Sequence, residues 1–239
     1  LHEVPPTDPA AARKTIAVHR RMFAEAGLSD AMHRVIGVVV QPGVEFGNHN
    51  VIRYNRDRAQ ALAQVLKGEP ALVFEAHSTD YQGTEPLSEL VQDGFEILKV
   101  GPELTFVLRE ALYALDLIAS DLIPGYDDRP LRAAMERVML DTPAEWERHY
   151  PGSPAVQAVL RHYSLSDRIR YYWVQPAAMT AVERLTAALQ GQSVPMPLFW
   201  QHWPAAAGFA DRPLDVEALL IWRVTLSLAS YHAACNLDL

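Results

Sequence analysis

The chain has a single cysteine, Cys235, in 239 residues, which excludes an internal disulfide framework and fits a reducing compartment, so a cytoplasmic location is expected. Cys235 falls near the end of an apolar helix and is expected to be a buried structural thiol. Basic residues are also short: 21 Lys and Arg against 29 Asp and Glu give a net charge of -8. A nucleic-acid groove needs the opposite balance, and no basic run suits a phosphate backbone or a membrane surface. No uninterrupted apolar span of about twenty residues is present, so no membrane-spanning helix is expected. No signal peptide is visible, and neither a P-loop nor a kinase glycine-rich loop is found. The opening LHEVPPTDP has no initiator Met and no plausible first element, and is expected to lie in the middle of a longer protein.

What is present is a soluble globular composition with alternating strand and helix signals. Asp8-Pro9 reads as an N-cap followed by proline at the first helical position, opening a helix that runs to about Gly27. RVIGVVVQPG reads as a strand over 34–41, buried on both faces and ended by Pro42-Gly43. Asn55 caps a helix that stops at Gly68, and strand 71–76, helix 86–93 and strand 95–100 follow. Pro102 then opens a long apolar helix to about Leu122. This alternation implies a parallel sheet. Beyond it the pattern turns helical: cap-plus-proline starts at Thr142-Pro143 and Ser153-Pro154, helices over 164–172 and 177–189, and a closing helix over 214–234. VPMPLFW at 194–200 is expected to supply a fourth strand. Four parallel strands with helices are half of an eight-stranded barrel, and half a barrel leaves open sheet edges that another element should cover.

Polar residues gather where strands 71–76 and 95–100 end. The first releases His77, Ser78, Thr79 and Asp80, and the second Lys99, Gly101, Pro102 and Thr105. Loops that follow buried parallel strands converge on one mouth, where a site is built. Glu75 and His77 are two apart and so share a strand face. Glu75 would be costly against an apolar helix layer, which places both at the mouth. His77 suits a phosphate donor, an acid/base or a ligand, or it holds the loop through Asp80. A zinc site wants three or four ligands, and no His-rich spacing supplies them, so no metal is assigned. Lys99 suits pairing with a phosphate or carboxylate, an ion pair with Glu75, or Schiff-base chemistry. The helix opening at Pro102 favours an anion beside it, and Thr105 adds a hydroxyl or caps its own helix. Arg168 and Arg170 form a second cluster with Tyr171, Tyr172 and Trp173. They cannot share one helical face, so at most one enters a site. Ser164 and Asp167 read equally as a capping-box-like helix start. Gln41 and Glu45 are weaker candidates. His202 is expected in a loop, and His19, His33 and His162 at the surface or in packing.

FEAHSTDYQ, ILKVGPELTFVLREALYAL, HYSLSDRIRYYW and VVVQPGVEF together resemble the non-catalytic, Z-type subunit of class II D-tagatose-1,6-bisphosphate aldolase, a family also described as tagatose-6-phosphate kinase. The resemblance runs in order through the whole chain. Family members are nearly twice as long, so residues 1–239 correspond to the C-terminal part of a single domain, with a helical insertion at about 124–192. The resemblance implies an α/β fold: a TIM (β/α)8 barrel in the parent protein, about half of it in this chain. It implies an accessory role, supporting a catalytic aldolase subunit in galactitol or N-acetylgalactosamine breakdown, with a phosphosugar pocket at the barrel mouth. Sugar bisphosphate and the catalytic subunit are the implied partners, zinc belongs if anywhere to the parent protein, and an incomplete barrel favours homo-oligomers. The alternatives are a ketose-phosphate aldolase or epimerase active in its own right and, less favoured, a kinase.

Overall fold

The computed structural model describes residues 3–235, which divide into two compact units, residues 3–101 with 228–235 and residues 102–227.

In the first unit, three strands form a parallel sheet in the order β1-β4-β5: β1 Gly37–Val40, β4 Val73–Ala76 and β5 Ile97–Leu98. A two-residue pair, β2 Glu45–Phe46 and β3 Val51–Ile52, makes an antiparallel hairpin directly after β1. Helices α1 Pro9–Glu25, α2 Arg56–Ala63 and α3 Thr84–Gln92 belong to this unit. The expected caps form: Asp8 accepts from the amides of Ala10 and Ala11, and Asn55 from that of Arg58.

Register decides the sheet's two faces. Val40, Ala76 and Leu98 are level with one another, and Val40, Phe74 and Ala76 are buried with Ile16, Leu62, Leu87, Leu90 and Phe95. The rings of Phe74 and Phe95 lie 5.3 Å apart at the centre of this core. On the opposite face Val39, Glu75 and Ile97 are level, and Val39 is 57% exposed. The expectation that this strand is buried on both faces therefore fails: only one face is packed.

α3 ends in a Schellman motif, with the amide of Phe95 bonded to Leu90 O at 2.9 Å and that of Gly94 to Val91 O at 3.0 Å. Gly94 sits at φ 91°, where a side chain is strained, and an added Cβ would lie 2.5 Å from Leu66 Cδ1. Gly94→Ala is expected to cost about 1–3 kcal/mol, read as a lower urea midpoint. An unchanged midpoint would show that the turn relaxes freely.

The second unit is helical. α4 Pro102–Leu122, α5 Pro130–Asp141, α6 Pro154–Tyr163, α7 Pro176–Leu189, α8 Met196–His202 and the first part of α9 Val216–Cys235 surround a core that includes Leu115, Ile118, Leu131, Met135, Tyr150, Tyr172 and Phe199. The proposed fourth strand at 195–200 is helix α8 instead. Its prolines fall at the helix's start, where a missing amide costs nothing. The stretch 164–172 is helical only as a short 3-10 turn, Arg168–Tyr172. Cys235, expected to be buried, is exposed. Among the described residues, no helix is long and apolar enough to cross a membrane.

Candidate functional site

Glu75 is the penultimate residue of β4, and its carboxylate is met by His77 on the same face, Nε2 to Oε1 at 2.7 Å. The following turn is held from several sides. Thr79 is buried, and its hydroxyl donates to Lys99 O at 3.0 Å. The Lys99 amide in turn donates to Ala76 O at 2.9 Å. The buried carboxylate of Asp80 accepts from the Gly101 amide at 2.9 Å. Buried Gln82 accepts from the Tyr54 amide and donates to Ile52 O, which ties the same turn to β3. Tyr231 donates its hydroxyl to Thr79 O at 2.9 Å.

Two residues of this turn, Ser78 at φ 57° and Tyr81 at φ 63°, occupy left-handed backbone without being glycine. Such positions cost of order 1 kcal/mol or more each and persist where surrounding bonds over-determine them. Thr79, Asp80 and Gln82 are those bonds. They leave His77 and Ser78 half-buried and Lys99 exposed at the carboxyl ends of adjacent parallel strands. Glu75 is taken by His77, and Lys99 enters no ion pair among the described residues. Gln41 is structural: its side chain accepts from the amides of Gly43 and Val44.

Glu75 and His77 provide two metal ligands, and among the described residues no group of three or more His, Cys, Asp or Glu side chains converges.

The remaining candidates lie in the helical unit. Thr105 donates to Asp167 Oδ2 at 2.7 Å and to Pro102 O at 3.0 Å. Arg168 is drawn to Glu145 O and lies 5.1 Å over the Tyr171 ring. Arg170 is drawn to Ser166 O, donates to Tyr171 Oη at 2.7 Å and stacks 4.4 Å over that ring. Arg168 also forms an ion pair with Glu145 at 3.8 Å, so both guanidiniums are held by their own neighbourhood.

Asp167 does not cap a helix through its side chain. At 1% exposure it bonds Arg109 Nε at 3.0 Å, and Arg109 is itself 2% exposed. Burial pushes the Asp167 carboxyl up, and Arg109 and Thr105 offset part of that shift. Sequence reading passed over Arg109 because it stands in an apolar helix; the signal was a lone cation on that helix's buried stripe. Nearby, buried Tyr113 donates to His162 Nδ1 at 2.7 Å, and His162 Nε2 faces Glu136 Oε2 at 2.9 Å. Burial, then Arg132, pulls His162 down to about 4, so it is neutral at pH 7. Its expected place in packing is where it lies. His202 ends α8, within 2.7 Å of Asp121.

The parallel sheet, with helices packed against it and a helical unit following it, defines an α/β protein. More particularly, the chain belongs to the D-tagatose-1,6-bisphosphate aldolase subunit GatZ/KbaZ-like family, whose model matches residues 1–236. It is 54% identical over 237 residues to a D-tagatose 6-phosphate 4-epimerase of Agrobacterium fabrum (strain C58 / ATCC 33970), covering 98% of this chain and 55% of that protein. It also resembles the crystal structure described as a probable tagatose 6 phosphate kinase from Sinorhizobium meliloti 1021. There the TM-score is 0.91 and the identity 48%, over 96% of this chain and 60% of the other. The chain thus spans little more than half the length of these relatives.

Proposed function

We propose that this chain is part of an accessory subunit that supports the activity and stability of a class II D-tagatose-1,6-bisphosphate aldolase in galactitol or N-acetylgalactosamine breakdown. The family match over residues 1–236 carries this reading. In the parent protein the sheet forms part of a TIM barrel. Two observations support this: the relatives are nearly twice as long, and the face bearing Val39, Glu75 and Ile97 is unpacked. The turns after β4 and β5 then open at the barrel mouth, where His77, Ser78 and Lys99 meet a sugar bisphosphate. Asp80, Gly101 and Thr79 hold those turns in place.

A second reading is favoured by one specific observation, the 54% identity to a D-tagatose 6-phosphate 4-epimerase. On that reading the protein turns over a ketose phosphate unaided, and the same turns carry the chemistry. The kinase reading has no phosphate-cradling loop in the sequence to support it.

Two assays on the full-length protein separate the readings. Cleavage of tagatose 1,6-bisphosphate is expected only when the catalytic subunit is added; 4-epimerisation of tagatose 6-phosphate by the protein alone would replace the accessory role with the second reading. In either case His77→Ala and Lys99→Ala are each expected to weaken sugar-bisphosphate binding about tenfold, the loss of one charge-assisted hydrogen bond. Melting temperature should stay unchanged, because neither side chain is buried. Unaltered binding in both variants would remove the pocket from these turns.

A further inference from the structure

The helical unit contains a cavity of about 380 Å³ whose lining includes Phe106, Arg109, Tyr113, Arg129, Tyr163 and His202. Its volume lies in the range of small-molecule sites, roughly 300–1,000 Å³. All of these residues belong to this one unit.

The donors in its wall outnumber their acceptors. Arg109 is buried among rings, with Cζ 4.1 Å from the Phe106 centroid and 5.8 Å from that of Tyr163. Its Nε is bonded to Asp167, yet its Nη2 is buried with no hydrogen-bond partner. The Nε atoms of Arg129 and Arg132 are also buried and unpartnered. Among the described residues neither of these two arginines is in an ion pair. Arg129 Nη2 donates to the Tyr163 phenol at 3.4 Å; burial pushes that phenol up, and the charges of Arg129 and Arg132 outweigh it, so it rests below the ordinary tyrosine value.

The carboxylates close by are committed elsewhere. Glu110 faces Arg223 at 2.7 Å, Asp121 faces His202, and Asp116 accepts from Tyr126 and from the amides of Leu131 and Arg132. Buried donors without acceptors are uncommon and costly, more so when charged. Three arginines sharing one carboxylate and one phenol leave a positive cavity with aromatic walls. Planar guanidinium forks suit a tetrahedral or planar oxyanion.

We infer that this cavity is an anion-binding site for a phosphate monoester, with Arg109, Arg129 and Tyr163 contacting the phosphate oxygens and the rings of Phe106 and Tyr113 against the ester's carbon skeleton. Arg132 acts through Tyr163, holding its hydroxyl in place. The site is independent of the strand-end turns proposed above, since it uses none of their residues.

Calorimetric titration of the full chain with inorganic phosphate at low ionic strength, with sodium chloride as the control, tests this. Saturable binding is expected with phosphate and not with chloride. Arg129→Gln is expected to weaken it about tenfold or more, and Tyr163→Phe about threefold, as for one charged and one neutral hydrogen bond. Tyr163→Phe keeps the ring and serves if Arg129→Gln proves poorly folded. Absence of saturable binding overturns the proposal, as does binding that both cavity variants retain. Binding lost in Lys99→Ala but kept in the cavity variants overturns it in favour of the strand-end turns.

Discussion

Asp167→Ala is expected to destabilise the protein by about 3–5 kcal/mol, a large share of the roughly 5–15 kcal/mol that holds a typical domain folded. The side chains of Arg109 and Asp167 are 3% and 0% exposed. Removing the carboxylate leaves a guanidinium largely withdrawn from water, with one nitrogen already unpartnered. Part of the loss would come from the backbone, since Asp167 sits at φ 45°, where Asp and Asn are tolerated better than Ala. Asp167→Asn separates the two causes, because it keeps the tolerated backbone and removes only the charge.

Restoring balance should restore stability. Arg109→Met combined with Asp167→Asn is expected to recover most of what Asp167→Asn loses, because a buried pair replaced on both sides is often close to neutral. Urea denaturation of the two single variants and the double variant measures this as a coupling between the sites. A double variant no better than Asp167→Asn would mean that Arg109 does not depend on its carboxylate. The upward push on Asp167 already indicates that this pair is expensive to bury, so its arrangement is better understood as orientation. Asp167 holds Arg109 Nε and so sets where the other guanidinium nitrogens lie.

Acid should unfold the helical unit through His162. Its folded value, about 4, lies below the ordinary histidine value of 6.5. Its neutral form is favoured by the fold, so its contribution is present above about pH 6.5 and is lost as pH falls towards 4. The full loss is about 3 kcal/mol. The groups facing it are Tyr113 from α4, Arg132 and Glu136 from α5, and Arg161 from α6. Glu136 is held below the usual carboxylate range, chiefly by its bond to Arg161, so its contribution also disappears in acid. Asp167 works in the opposite sense, because its raised value makes protonation favourable in the fold. Thermal melts between pH 7 and 4 should therefore fall steeply, and His162→Gln should flatten the upper part of that fall. An identical slope in the variant would assign the acid sensitivity to other groups.

How far the site could be foreseen varied with how local its causes are. Strand-end polar residues were visible as His77, Ser78, Asp80 and Lys99, because a short apolar run followed by mixed polar residues is a pattern within ten residues. That Glu75 and His77 share a face followed from the two-residue period of a strand; that they bond each other, and not Asp80 and Lys99, did not. Arg109 with Asp167, and Tyr113 with His162 and Glu136, could not be foreseen in this way. Their partners are 58, 49 and 26 residues apart in sequence, and only packing of α4, α5, α6 and the turn after α6 brings them together.

By itself the sequence determined where the strands β1, β4 and β5 fall along the chain, the helices between them and the caps at Asp8 and Asn55, and the turn chemistry at Gly94. Each of these is settled by side chains a few residues away through steric and hydrogen-bonding preferences. Tertiary structure alone decided that 195–200 is a helix, since an apolar run with prolines suits either state and its neighbours choose. It also decided which face of β1 is covered, and which arginines are buried without a counter-charge, because burial and electrostatic balance are properties of what surrounds a residue and not of the residue itself.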